Sequence, residues 1–150
     1  MYMGIDPGKT GAVSVVDQSG KVVESLLFSK STERDTWNFF ETFTISGRHS
    51  KVSYAALEKV SSSPQMGVTS AFSFGRSYGL VRGILIASEI PFIDVTPQTW
   101  MRKMKCLSKG DKNVTKAAAQ QLFPKTKITH GNADSLLLAE YMRRVENHDG

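Results

Sequence analysis

The chain has 150 residues, 40% hydrophobic and 22% charged, an ordinary balance for one globular domain, residues 1–150, with a buried core. No apolar run reaches membrane-spanning length, no signal-peptide pattern opens the chain, and a single cysteine, Cys106, leaves no intrachain disulfide. A membrane partner and a disulfide scaffold are thereby excluded and a reducing, intracellular setting is expected, while the net charge of +5 and pI near 9.4 fit a polyanionic partner.

In chain order, Tyr2, Met3 and Ile5 open a buried strand that ends at Asp6, and Pro7-Gly8 turns the chain. Gly11 to about Asp17 reads as a second strand returning antiparallel, and Lys21 to Phe28 as a third. From Ser31 to Phe43 a helix is predicted: Thr32 caps it, Glu33 and Asp35 occupy its first turn, and Trp37, Phe40 and Phe43 recur at helical spacing. A loop is expected at Ser46–Ser50. Val52 to Val60 reads as a fourth strand with Tyr54, Ala56, Glu58 and Val60 on one face and Ala55 and Leu57 on the other, so Glu58 interrupts an apolar face near the strand's end.

A polar loop, Ser61 to Gly67, leads into a long helix from about Thr69 to Ser88. Gly75, Gly79 and Gly83 recur on it every four residues; each costs roughly 1 kcal/mol relative to alanine, so the pattern predicts an element or a partner packed closely there. Pro91 to Val95 is a short fifth strand, and Thr96-Pro97 starts a helix whose apolar side is Trp100, Met101 and Met104. Beyond a basic loop at Lys109–Lys112, helices are predicted over Asn113–Phe123 and Asn132–Glu146, the latter with Leu136, Leu137, Ala139 and Tyr141 toward the core. Eight cations (Arg102, Lys103, Lys105, Lys109, Lys112, Lys116, Lys125 and Lys127) fall within 26 positions, with Asp111 the only acid among them. Such a stretch is either a solvated surface or a nucleic-acid contact, and the second requires that it flank the active site.

A meander followed by β-α-β units implies an α/β fold: a mixed five-stranded sheet with helices on both faces, similar to the ribonuclease H-like arrangement. In that arrangement strands one and four are neighbours. Asp6 and Glu58 then meet at their ends, and the last helix lays Asp134 beside them, with His130 just before it. Clustered carboxylates repel one another unless a cation sits among them. Hard oxygen ligands suit Mg2+ or Mn2+, and two such ions about 4 Å apart can activate a water and stabilise the leaving oxygen of a phosphodiester. Each residue also has a plainer reading: Asp6 as a turn residue, Glu58 as a strand-end charge, Asp134 as an acid favoured by the helix dipole, and His130 as a loop residue.

GIDPGKTGAV, the strand ending in ALEKV, the helix GRSYGLVRG, the segment VTPQTWM and the terminal HGNADSLLLAEYMRR together resemble the RuvC family of Holliday junction resolvases, in order and over nearly the whole chain. KGDKN followed by QLFP is more similar to its phage or organellar members. The resemblance implies a homodimeric, Mg2+-dependent endonuclease that cuts four-way DNA symmetrically, with Asp6, Glu58 and Asp134 as metal-binding acids and two ions per site. The family's fourth group, three residues before the last aspartate, falls on Gly131, so that role passes to His130. Asn132 is a departure, natural or inactivating, because an aspartate there would add an acid beside the cluster.

DNA would be held through phosphates by Lys9, Lys105, Lys109 and Lys112, with Arg76 and Lys116 behind them. Met66, Phe72 or Phe74 would lie near the crossover, the two phenylalanines being equally readable as core or dimer contacts. Rival readings are a ribonuclease H or broader branch or flap nuclease, a catalytically impaired junction-binding module, and an actin-like phosphate loop, which would need a second lobe that 150 residues do not hold.

Overall fold

The computed structural model describes residues 1–44 and 51–148; the loop expected at Ser46–Ser50 lies outside them. Five strands form one sheet in the order β3-β2-β1-β4-β5: β1 Tyr2–Asp6, β2 Ala12–Val16, β3 Val22–Leu27, β4 Tyr54–Glu58 and β5 Phe92–Val95. The meander β1-β2-β3 is antiparallel, whereas β1-β4 and β4-β5 are parallel. Helices α1 (Glu33–Glu41) and α2 (Val68–Ala87) cover one face; α3 (Pro97–Lys103), α4 (Lys112–Leu122) and α5 (Ala133–Glu146) cover the other. This is the mixed, doubly covered sheet that the element order implies.

Period-two alternation assigns the faces. Met3, Ile5, Val13, Val15, Ala55 and Leu57 pack with Phe39, Phe40, Phe43, Val81 and Leu85 beneath α1 and α2. Tyr2, Val16 and Ala56 pack with Trp100, Leu137 and Met142 beneath α3 and α5. Burial of both faces explains why these strands are almost continuously apolar. The expected caps are present. Thr32 and Asp35 form a reciprocal capping box on α1, and Thr96 accepts from the Thr99 amide with Pro97 in the first turn of α3. Lys112 departs from expectation: it opens α4, capped by Asp111, and does not belong to the preceding loop.

The contact that positions everything else lies at Gly4. Its cross-strand neighbours are Ser14 and Ala56, so a row of minimal side chains crosses the sheet. The backbone of α5 descends into that row. A methyl group on Gly4 would overlap the Ser135 carbonyl oxygen and the Ala139 nitrogen, and the Ser14 and Ser135 hydroxyls hydrogen-bond at 2.7 Å. The helix thus rides on β1 with its first turn above Asp6.

The glycines of α2 behave differently. Nothing lies within 4 Å of a Cβ placed at Gly75, Gly79 or Gly83, so the close packing expected there is not supplied by the described residues of this chain. Val68, Phe72 and Ile86 of the same helix are also exposed, at 88%, 76% and 65%. Among the described residues no helix is long and apolar enough to cross a membrane.

Gly4→Ala is expected to destabilise the protein by about 3 kcal/mol or more, because backbone rather than a flexible side chain must move. Urea unfolding measures this, and an unchanged midpoint would show that α5 does not depend on the contact.

Candidate active site

Parallel neighbours end at the same edge of a sheet. Ile5 is in register with Leu57, so Asp6 and Glu58 follow one another's row at the carboxyl ends of β1 and β4. Tyr2, Gly4 and Asp6 share the face beneath α5, as do Tyr54, Ala56 and Glu58. On α5, Asp134 is buried in the first turn, 3% exposed. The turn after Asp6 is closed by Gly8, whose φ of +111° suits glycine and whose Cα lies beneath the Phe74 ring; a Cβ there would come within 2.9 Å of it.

The three carboxylates sense one another. Burial, then the charges of Glu58 and Asp134, push Asp6 up to about 8, with Lys112 acting in the opposite direction. Burial also raises Glu58, opposed by a 2.7 Å hydrogen bond that the Trp100 indole N–H donates to Glu58 Oε2. Asp134 has two dissimilar oxygens. Oδ2 receives the Lys112 ammonium at 3.1 Å, whereas Oδ1 is buried with no hydrogen-bond partner. Lys112 reaches in from a largely exposed position, its side chain 59% exposed. Burial lowers its pKa, but Asp134, Asp6 and Glu58 outweigh that and the net shift is upward.

Lys112 therefore has a place that its membership in a basic run does not reveal: its cation enters the acid cluster. Among the described residues no three His, Cys, Asp or Glu side chains are gathered closely enough to hold a metal ion as they stand. The donor chemistry nevertheless fits a hard cation. The donors are oxygens, one buried oxygen lacks a partner, and Asp6 retains its proton unless positive charge arrives.

His130 is exposed in the turn before α5 and makes no hydrogen bond or ion pair to the three acids. Gly131 has little room for a side chain, since a Cβ there would lie 3.1 Å from Leu27 and 3.6 Å from the Thr10 carbonyl oxygen. Asn132 has a structural task. Its Oδ1 accepts from the Thr129 amide at 2.8 Å and its Nδ2 donates to the Lys127 carbonyl at 3.1 Å, clasping the turn into α5. An aspartate would set a carboxylate oxygen against that carbonyl, so the asparagine is the residue this turn requires.

Lys9, Lys105 and Lys109 are exposed, and Lys116 is half-buried on α4. Arg76 is turned toward Glu33, 2.7 Å away, beside a cavity of about 240 Å³ that Lys9 also lines. Met66 lines a cavity together with Ala71, Phe74 and Gly75 of α2. Sequence reasoning missed Gly4 and the polar end of Trp100. A glycine centred in an apolar strand was the signal for the first, whereas the apolar spacing of α3 concealed the second.

No family model matches the chain, and no curated protein matches it. Among solved structures, RuvC from Thermus thermophilus aligns over 98% of this chain and 96% of its own, at 16% identity and a TM-score of 0.62. T. thermophilus RuvC in complex with a Holliday junction substrate aligns over 98% and 95%, at 15% identity and a TM-score of 0.64. The chain has a RuvC-like fold, a mixed five-stranded sheet with helices on both faces.

The pH dependence of stability tests the cluster. Unfolded, Asp6 titrates near 3.8; folded, it keeps its proton to about 8. Between those values the folded state binds more protons, so this group makes stability fall as pH rises. Without metal, unfolding midpoints are expected to decline from pH 4 to pH 8, and Asp6→Asn to remove much of the decline. An undiminished slope in the variant would assign the burden to other groups.

Proposed function

We propose that the chain is a structure-selective DNA endonuclease that binds four-way junctions as a homodimer and hydrolyses opposed strands with Mg2+ or Mn2+, two ions per site. The observation that carries this reading is the convergence of Asp6, Glu58 and Asp134 at one sheet edge of a RuvC-like fold, with Asp134 Oδ1 buried and unpartnered. These three side chains would hold the metal, which when bound supplies Lewis-acid charge and makes water a nucleophile at neutral pH. Compensation of the negative charge would release the proton of Asp6.

The chain's own residues do the rest. Freed from Asp134, the Lys112 ammonium lies at the mouth of the pocket and meets a phosphate oxygen. Lys9, Lys105, Lys109 and Lys116 hold flanking phosphates, which position the DNA without reading its bases. Arg76 joins them on leaving Glu33, and Met66 borders the crossover. His130, exposed in the turn before α5, would be the group that takes a proton from the attacking water. The substrate is supported by the Holliday junction substrate in complex with T. thermophilus RuvC, and on this reading the protein acts inside a cell. The uncovered glycine face of α2, bordered by exposed Val68, Phe72 and Ile86, is the surface we assign to the second copy.

A second reading, a junction-binding protein without cleavage, is favoured by one observation: Lys112 already neutralises part of the cluster, and no three-ligand group is preformed among the described residues.

A cleavage assay on labelled four-way, flap and RNA–DNA hybrid substrates separates these readings. Cleavage of the four-way junction is expected with Mg2+ or Mn2+ and none with chelator, while Asp6→Asn abolishes cleavage and leaves junction binding intact. Preference for the flap or hybrid would reassign the substrate, and binding without cleavage would establish the second reading. Independently, light scattering should give a dimer that Gly79→Leu converts to monomer; a wild-type monomer on junction DNA would count against paired cuts.

A further inference from the structure

We propose that Trp100 is a positioning residue for Glu58, orienting its carboxylate toward the cation site while leaving its charge intact; this rests on the metal-site reading above. Trp100 is fully buried. An indole has one polar atom, a donor, and a buried donor must find a partner. Its partner is Glu58 Oε2 at 2.7 Å.

Both ends of that bond are anchored by short paths. Glu58 ends β4 in register with Val95, the last residue of β5, and the Lys59 amide donates to the Val95 carbonyl at 2.7 Å. Thr96 follows at once, caps α3, and takes the Trp100 amide at 3.2 Å on its carbonyl. Trp100 thus lies only five positions after Val95, the cross-strand neighbour of Glu58. The indole is wedged in the core beneath α5 with Met104, Ala56 and Leu137. A glutamate is long enough to turn its carboxylate away from Asp6; a rigid ring tied to Oε2 prevents that and leaves Oε1 without a hydrogen bond from any described residue.

The contrast with Lys112 gives the bond its meaning. Lys112 brings a full positive charge to Asp134 and so competes with a metal ion for the cluster. A neutral N–H fixes the geometry of a carboxylate without satisfying its demand for a cation. Were Trp100 only a filler of core volume, phenylalanine would serve nearly as well.

The test uses the full chain with Trp37→Phe as background, so that Trp100 is the remaining one of two tryptophans. Mn2+ binding is followed by electron paramagnetic resonance, and Trp100 emission is followed during Mg2+ titration. Emission is expected to change and saturate with Mg2+, and Glu58→Gln to abolish the change. Trp100→Phe in the wild-type chain is expected to weaken Mn2+ binding about 10- to 100-fold. A folded Trp100→Phe protein with unchanged Mn2+ affinity overturns the proposal and leaves the metal site standing. If that variant does not fold, the emission titration decides, and Trp100 emission indifferent to Mg2+ overturns the proposal. Failure of the wild-type chain to bind Mn2+ at all overturns the metal-site reading and the proposal with it.

Discussion

The approach of α5 to β1 at Gly4 is the constraint on which the site depends. A helix packed on a sheet through ordinary side chains stands about 10 Å from it, held off by the intervening layer. Here the intervening layer is missing at one point, because Ser14, Gly4 and Ala56 form a row of the smallest residues across three strands. The helix backbone fills that row, and its register is pinned by the Ser14–Ser135 hydroxyl bond. Next to Ser135 on the N-terminal side lies Asp134; two residues along the strand from Gly4 lies Asp6. Their proximity is a consequence of main-chain packing, which does not relax when like charges oppose each other across it.

That rigidity explains the electrostatic state of the cluster. Carboxylates on flexible loops would swing apart into water and ionise at their ordinary values. Asp6 cannot, and it resolves the conflict by keeping a proton to about 8. Asp134 resolves it by recruiting Lys112 from the first turn of α4, yet only one of its oxygens is served. A buried acceptor without a donor costs about 1–3 kcal/mol. On the proposed reading, that oxygen and the protonated Asp6 carboxyl are the groups a bound cation would engage.

What was legible in the sequence follows from how local each determinant is. Alternation gave the faces of β4, and one acid breaking an apolar face gave Glu58. Thr32 and Thr96 announced their helices because a cap needs only its own first turn. The order of elements then gave the sheet, through the rule that parallel neighbours require a crossover. Less local determinants were not legible. Lys112 looks like any lysine in a basic run until α4 places it over Asp134. Trp100 reads as apolar bulk, since nothing in VTPQTWM shows that its N–H will point at a residue 42 positions earlier. Asn132 read as a departure, natural or inactivating, whereas its amide clasps the turn that launches α5. The glycines of α2 read as a close-packing face, but no described residue of this chain packs there.

The division of the sheet gives these pieces a common logic. Chemistry-bearing groups, Asp6, Glu58, Trp100, Lys112 and Asp134, lie toward α3, α4 and α5. The uncovered apolar and glycine surface lies on α2, across the sheet. Strand alternation keeps the two apart, because Asp6 and Ile5 are adjacent in sequence and face opposite layers. A partner seated on α2 would therefore bury apolar surface without touching the acids. The Asp6–Gly8 turn is the exception, since Phe74 of α2 lies directly over Gly8. Movement of α2 on assembly would press on the turn that carries Asp6, so on the proposed reading the same ring that covers the turn is the shortest physical link between pairing of the subunits and the geometry of the acid cluster.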